Sequence, residues 1–304
     1  MVRKLTPLLL ALLLLAPALS AQRQIRLTVA FYNLENLFDT IDGENNDADF
    51  LPDGSNQWTM EKYQQKLHNM AYAISQIGGQ RGPDIIGLAE IENRGVLEDL
   101  LRQPELRDAG YQIVHFDSPD KRGIDCALFY RSSVFQMTSA EPHPVTLVGE
   151  EHIKTRDVLE VTGKLLGEPV SILVGHWPSR VGGEQASLRR RMQAAKVMRS
   201  VTDSLLQLNP QAKVILMGDF NDDPTSPSVV EGLRSKNSTE GLQPGELFNP
   251  LAKHYLSGRG TLAYRDVWNL FDNIIVSQGL LKSSPESLHL LQDTKTGDYG
   301  HIFD

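Results

Sequence analysis

An apolar run that ends abruptly in charged residues constrains this chain more than any other stretch. Residues 214–217 are Val-Ile-Leu-Met, and after Gly218 the chain reads Asp219-Phe220-Asn221-Asp222-Asp223-Pro224. A continuous apolar run of this length predicts a strand covered on both faces. A carboxylate and an amide two residues apart, Asp219 and Asn221, project from one side and suit a hard cation such as Mg²⁺ or a water that attacks phosphate. The structural alternative is an Asp/Asn turn after the strand.

Other predicted strands end in the same kind of polar side chain. The strand at residues 25–32 leads to Asn33, that at 83–89 leads to Glu90, and that at 169–175 leads to His176. Asp272 precedes the last predicted strand, at 273–277. Because packed strands hold their end residues rigidly, these side chains are candidates for one shared polar site.

The N-terminus has the order of a secretory signal. Arg3 and Lys4 precede the apolar residues 8–15 and the small-residue stretch 16–21, which is short for a membrane span. We therefore expect a signal peptide at residues 1–21, a mature domain at 22–304, and export to the periplasm or the medium.

The charge balance argues against a protein that clamps nucleic acid mainly through a basic surface. Without the leader the chain has 28 basic and 38 acidic residues, a formal charge of −10. Cys126 is the single cysteine, so no internal disulfide can form, and the apolar residues around it predict a buried thiol.

The ordered residues resemble one superfamily. Asn33, Glu90, His176, Asp219-Phe220-Asn221 and Asp272-Asn273 are similar, over about residues 25–277, to the endonuclease/exonuclease/phosphatase superfamily. The phrases at 32–39, 50–54 and 176–180 resemble its exported bacterial endonuclease-like members. The resemblance implies an α/β fold in which two packed β-sheets are flanked by helices, a four-layer sandwich.

The same resemblance implies divalent-metal-dependent hydrolysis of a phosphate ester by a monomer acting on nucleic acid or another phosphodiester. Mg²⁺ is the implied ion, with Mn²⁺ or Ca²⁺ as alternatives. Each family role is carried to the matching residue: metal binding to Asn33 and Glu90, catalysis to His176, Asp219, Asn221 and Asp272, and substrate-phosphate binding to Arg156 and Arg180.

One departure from the family concerns its final Asp-His pair, which this chain lacks. The nearest histidine is His301 in Tyr299-Gly300-His301-Ile302, without a neighbouring aspartate or a strand leading into it. We expect the sequence to be cut before the last strand, so that residues 273–277 would have an open edge.

Three functions remain open at this point. The first is an exported endonuclease or phosphodiesterase. The second is a phosphoinositide or sphingomyelin-type hydrolase, which would need an exposed apolar hairpin that the sequence does not reveal. The third is a catalytically silent binding module of the same fold.

Overall fold

The computed structural model describes residues 25–79, 81–281, 284, 287–300 and 302. The expected signal peptide and His301 lie outside the described residues. Within the described ranges, no helix combines the length and the apolarity needed to cross a membrane.

The described residues form four α-helices and thirteen strands. The helices are α1 (Met60–Gln76), α2 (Arg94–Leu101), α3 (Glu184–Leu208) and α4 (Ala252–Leu256). The strands are β1 (Val29–Leu37), β2 (Ile85–Ile91), β3 (Tyr111–His115), β4 (Asp125–Arg131), β5 (Phe135–His143), β6 (Val158–Leu165), β7 (Glu168–His176), β8 (Lys213–Asp219), β9 (Ser235–Lys236), β10 (Leu247–Phe248), β11 (Leu262–Tyr264), β12 (Val267–Asn269) and β13 (Asp272–Ser277).

The strands form two large sheets and one hairpin. One sheet has four strands in the order β1-β2-β4-β3, and the other has seven strands in the order β5-β6-β7-β8-β13-β10-β9. β11 and β12 pair only with each other among the described residues. The predicted architecture of two packed sheets with flanking helices is confirmed.

The hydrophobic core is divided by the sheets into three layers. In the central layer, residues such as Leu128 of β4 pack with Ile172 of β7 and Met217 of β8, which joins the two sheets face to face. Leu67 of α1 and Leu97 of α2 cover the outer face of the four-stranded sheet. α3 covers the outer face of the seven-stranded sheet. Strands buried on both faces explain why β2 and β8 are continuously apolar in sequence.

Helix starts follow local capping chemistry. Thr59 accepts a hydrogen bond from the amide of Lys62 at the start of α1, and Asn93 accepts one from Val96 at the start of α2. A side-chain oxygen at this position satisfies an otherwise unpaired amide of the first turn, which stabilises the start of each helix.

The structure corrects three expectations about strands. β1 does not end before Asn33 but continues through an irregularity to Leu37. The expected open edge of β13 is closed only in part, because β8 pairs with one side of it while β10 pairs with just Val276 and Ser277 on the other, within the part of the chain that the structure describes. The sequence did not reveal an exposed apolar hairpin, but the structure contains one, formed by β11 and β12.

Candidate active site

Four predicted strand-end residues meet where the two sheets come together. β1 and β2 run parallel with Asn33 opposite Ala89, which brings Asn33 beside Glu90. β7 and β8 also run parallel, with His176 opposite Asp219. Since parallel strands end at the same edge, each pair of neighbours presents its polar residues together, and sheet packing brings the two pairs into contact.

Asn33 links the two carboxylates of the site. Its Nδ2 donates to Asp219 Oδ2 at 3.0 Å and lies 3.3 Å from Glu90 Oε1. Its Oδ1 accepts the backbone N–H of Glu35 at 2.8 Å, which fixes the orientation of the amide. Asn33 therefore positions Asp219 and Glu90 in this structure, and its predicted role as a metal ligand remains a prediction.

Asp219 is held from the other side by the turn that follows it. Its Oδ1 accepts the backbone N–H of Asn221 at 2.9 Å, and the Asn221 side chain donates to the carbonyl of Trp177 at 3.0 Å. The rings of Trp177 and Phe220 are stacked, with centroids 4.1 Å apart. These contacts tie the end of β7 to the end of β8.

Local backbone strain coincides with the site. Glu90 has φ +61° and Asn221 has φ +50°, and a left-handed conformation at a non-glycine residue costs on the order of 1–2 kcal/mol. Gly218 permits a close approach, because a Cβ there would lie 1.9 Å from the Gly175 carbonyl oxygen. The surrounding packing thus imposes this geometry on the site residues.

His176 is buried and neutral. Burial lowers the pKa of His176 well below its usual value, and the guanidinium groups of Arg156 and Arg122 lower the pKa further. Its Nε2 lies 3.7 Å from Glu90 Oε1 and 3.9 Å from Asp219 Oδ2, so these contacts are not ion pairs. A neutral imidazole in this place can donate one hydrogen bond to a phosphoryl oxygen without bringing charge into the core.

The two aspartates at the ends of β8 and β13 are directly opposite each other. Burial raises the pKa of Asp219, with Glu90 adding to the effect. Burial raises the pKa of Asp272 to about 8, with contributions from Asp219 and Glu90. Asp272 Oδ1 is buried and has no hydrogen-bond partner among the residues that the structure describes. The site therefore concentrates carboxyl groups in a shielded place, where burial disfavours their charged forms.

This donor set fits a hard divalent cation. Glu90, His176 and Asp219 each offer a ligand atom, and these atoms lie within 4.8 Å of one another. Carboxylate oxygens suit Mg²⁺, Mn²⁺ and Ca²⁺, and a cation would offset the repulsion between the carboxylates and Asp272. Of the two predicted metal ligands, Glu90 has the better placed oxygen, since the Asn33 oxygen is engaged by Glu35.

The two predicted phosphate-binding arginines are engaged with the protein. Arg156 is buried and donates to the carbonyls of His176 at 3.2 Å and Trp177 at 2.7 Å, and it pairs with Asp120 at 3.0 Å. Arg180 donates to the Asn221 carbonyl at 2.9 Å and pairs with the carboxylates of Asp222 and Asp223. These contacts support the backbone that carries His176 and Asn221, while direct phosphate binding remains a prediction.

The carboxylates of Asp222 and Asp223 face away from the cluster. Asp222 is 1% exposed and pairs with Arg191, which is fully buried, at 2.7 Å. Asp223 Oδ1 accepts the backbone N–H of Leu270 at 2.8 Å. Only the first of the three acidic residues in this stretch therefore belongs to the site.

The sequence analysis did not identify two basic side chains near the site, those of Arg122 and Lys66. Arg122 donates to the Asn36 side chain at 3.2 Å and is close enough to influence His176. Lys66 of α1 donates to the Glu35 carbonyl at 2.6 Å, and burial lowers its pKa although Glu35 and Glu90 act to raise it. Neither residue carries a motif, because one lies on an amphipathic helix and the other in a polar loop.

Comparison with solved structures supports the same fold. A mannosyl-6-phosphatase from Bacteroides thetaiotaomicron is 19% identical, with a TM-score of 0.54 over 83% of this chain and 86% of that one. An endonuclease/exonuclease/phosphatase family protein from the same organism is 20% identical, with a TM-score of 0.54 over 83% of each chain. Truncated TDP2 from Caenorhabditis elegans is 15% identical, with a TM-score of 0.53 over 84% of this chain and 85% of that one.

No curated protein is significantly similar in sequence. The model of the Endonuclease/Exonuclease/phosphatase family matches residues 28–302, a stretch that contains both large sheets and every residue of the site described above. The chain therefore belongs to the endonuclease/exonuclease/phosphatase family, whose members hydrolyse phosphate esters.

Proposed function

We propose that this protein is an exported, Mg²⁺-dependent phosphodiesterase that cleaves nucleic acid. The observation that carries the proposal is the meeting of Asn33, Glu90, His176 and Asp219 at one edge, with separations of 3.0–3.9 Å between their polar atoms. This arrangement combines oxygen ligands, a neutral hydrogen-bond donor and a shielded carboxylate, which are the groups that displacement at phosphorus requires.

Each side chain has a role that follows from its contacts. Glu90, with Asn33 beside it, would hold the cation, which when bound would neutralise charge on the phosphate oxygens. Asp219 accepts the proton of the attacking water, and burial, which raises its pKa, makes its carboxylate a stronger base. Asn221 fixes the Asp219 carboxylate through its backbone N–H, and the neutral His176 donates to a phosphoryl oxygen as charge develops.

Asp272 has a supporting role in this proposal. It faces Asp219 across the β8–β13 pair, and its Oδ1 is buried without a partner among the described residues. Such an oxygen is placed to orient a hydrogen-bond donor that enters the site with the substrate or with another part of the protein.

The proposal is tested by assaying the mature protein with Mg²⁺ or EDTA against plasmid DNA, single-stranded DNA, RNA and bis-p-nitrophenyl phosphate. We expect Mg²⁺-dependent cleavage of a nucleic acid that Asp219→Asn abolishes. Glu90→Gln should raise the Mg²⁺ concentration needed for activity. Its matched control is Glu61→Gln, at an exposed carboxylate on α1, which should leave activity unchanged. A metal-independent rate, or no turnover of any of these substrates, would contradict the proposal, and the second result would favour a silent binding module.

Export is the part of the proposal that rests on residues 1–21 alone. Expression of the full chain in a Gram-negative host should yield a periplasmic protein whose N-terminus is Gln22. N-terminal sequencing of an unprocessed cytoplasmic product would contradict it.

The β11–β12 hairpin favours a second candidate, hydrolysis of a lipid headgroup such as sphingomyelin or a phosphoinositide. The hairpin exposes four large apolar side chains beside the site, at Leu262, Tyr264, Val267 and Trp268. Turnover of these lipids in vesicles, with no cleavage of nucleic acid, would favour this candidate over the first.

A further inference from the structure

The β11–β12 hairpin is an exposed aromatic element attached to the candidate active site. Tyr264 is 61% exposed, Val267 60%, Trp268 55% and Leu262 45%. An eight-residue element seldom leaves four large apolar side chains in water, and exposed apolar patches of this kind mark interaction surfaces.

The apolar residues lie on both faces of the hairpin. Tyr264 pairs with Val267, so these two share one face, whereas Trp268 pairs with Ala263 on the other. The hairpin therefore offers one aromatic ring on each side.

The hairpin ends in a charged turn. The turn residues Arg265 and Asp266 have φ +50° and +64°, the signs of a type I′ turn, in which asparagine and glycine are the favoured residues. The Arg265 guanidinium lies over the Tyr264 ring, 5.1 Å from its centroid. The tip thus combines a cation with an aromatic ring.

The base of the hairpin is fixed to the catalytic segment by hydrogen bonds. The backbone N–H of Thr261 donates to the Asn269 carbonyl at 2.8 Å, and the Thr261 hydroxyl accepts the backbone N–H of Asp272 at 3.3 Å. The N–H of Phe220 donates to the Phe271 carbonyl at 2.8 Å. Both strands of the hairpin therefore start from residues that contact the ends of β8 and β13.

These anchors set the reach of the rings. Tyr264 lies three residues beyond Thr261, and a strand rises about 3.3 Å per residue, so the Cα atoms of these two residues are within about 10 Å of each other. Because Thr261 contacts Asp272, which lies opposite Asp219, the hairpin starts beside the site.

We propose that Trp268 and Tyr264 bind nucleobases of single-stranded nucleic acid next to the scissile phosphate, and that Arg265 contacts a neighbouring phosphate. This inference rests on the proposed function and names its substrate class. Aromatic rings accept the faces of unpaired bases, and a guanidinium beside them complements the phosphates that link those bases.

The charged turn at the tip of the hairpin favours nucleic acid over a lipid bilayer as the occupant. A hairpin that inserts into a bilayer places its tip deepest, and here the tip is the charged pair Arg265-Asp266.

The first test measures binding of a short oligothymidylate to the Asp219→Asn protein in Mg²⁺, so that no turnover occurs. Trp268→Ala and Tyr264→Ala should each raise Kd by about 5- to 150-fold, the range of one base-stacking contact. Leu208→Ala, which changes an 88% exposed residue at the end of α3, is the matched control and should leave Kd unchanged. Equal Kd values in all four proteins would overturn the inference.

Tryptophan fluorescence supplies a readout that does not depend on catalysis. Trp177 is 1% exposed and Trp58 is partly buried, whereas Trp268 is 55% exposed, so Trp268 is the most accessible of the three tryptophans of the chain. Oligothymidylate should quench the emission, and Trp268→Phe should remove the quenching while keeping affinity within about threefold. Retained quenching in the Phe variant would contradict stacking on this ring.

The turn separates nucleic acid from lipid as the occupant. Arg265→Asn with Asp266→Gly keeps a favourable type I′ turn and removes both charges. It should reduce the salt slope of oligonucleotide binding by about 0.7. Trp268-dependent binding to phosphatidylcholine–sphingomyelin vesicles that this double variant strengthens, without oligonucleotide binding, would overturn the inference.

Failure of this inference and failure of the proposed function give different results. Trp268-dependent binding without hydrolysis supports the hairpin as a nucleic-acid contact and contradicts the phosphodiesterase. Hydrolysis of single-stranded DNA with the same KM in wild type and Trp268→Ala supports the phosphodiesterase and overturns the role of the hairpin.

Discussion

The buried ion pair between Arg191 and Asp222 provides a direct test of how the fold supports the site. Arg191 is fully buried on α3, and its Nε lies 2.7 Å from Asp222, which is 1% exposed and directly follows Asn221. Removing one partner of a buried ion pair leaves an uncompensated charge and costs about 3–5 kcal/mol. We expect Arg191→Met to lower the free energy of unfolding by the lower part of that range, because Arg180 still contacts Asp222 at 3.0 Å.

The neighbouring arginine provides a matched control on the same helix. Arg190 pairs with Glu150 at 2.6 Å, but the two side chains are 27% and 29% exposed. Pairs at the surface are worth about 0–1 kcal/mol, so Arg190→Met should cost at most that amount. The two ion pairs have similar contact distances and differ in burial, and Arg191 also donates to the Ser187 hydroxyl at 2.7 Å and to the Glu184 carbonyl at 2.9 Å.

The measurement is urea unfolding of the mature protein and of each variant, followed by far-ultraviolet circular dichroism in EDTA. We also expect Arg191→Met to reduce kcat, because the turn that orients Asp219 through Asn221 would loosen, whereas Arg190→Met should not. A cost for Arg191→Met no larger than that for Arg190→Met would refute the reasoning that a buried pair holds this turn.

Four further predictions concern the site and its surroundings. Glu90→Gln should raise the Mg²⁺ concentration needed for half-maximal activity without unfolding the protein, and an unchanged metal titration would contradict its role as a ligand. Asp219→Asn and His176→Ala should each lower kcat by about 10²-fold or more, and near wild-type turnover in both would place the site elsewhere. Burial raises the pKa of the Cys126 thiol, so this single cysteine should resist a thiol-specific reagent at pH 8 until urea unfolds the protein. Burial, with Asp39 and Asp47 adding to it, raises the pKa of Glu92 to about 7. The folded protein therefore holds an extra proton between about pH 4.5 and 7, and its stability falls as pH rises through that window. Glu92→Gln should flatten this fall, and parallel curves of unfolding free energy against pH for the two proteins would contradict the prediction.

The sequence by itself determined where the polar residues of the site stand on their strands. Each of these polar residues interrupts an apolar run: Asn33 on β1, and Glu90, His176 and Asp219 near the ends of β2, β7 and β8. A strand covered on both faces can be identified from its own apolar residues, without knowledge of the strands that pair with it. The caps at Thr59 and Asn93 were also predictable, since capping depends on neighbours within three residues. The strand-end residues and the helix caps could both be predicted because each depends on residues that are close in sequence.

Only the tertiary structure decided what the neighbouring charged residues do. Asp222 resembles Asp219 in sequence, yet it faces α3 because Arg191, about thirty residues earlier, lies buried against it. Arg156 is likewise engaged by carbonyls from the end of β7, a contact that no local pattern predicts. Such pairings depend on how sheets and helices pack, and the net worth of a buried charge is set by partners that are distant in sequence.

The β11–β12 hairpin shows the same division most clearly. Its strands are three residues each, too short for a reliable alternation, and its turn has Arg265-Asp266 where a local signal would need asparagine and glycine. Its position is fixed from outside, by the hydrogen bond between Thr261 and Asp272 and by the pairing of β13 with β8. The residues that bring aromatic rings to the site could therefore be recognised only once the sheet that carries them was in place.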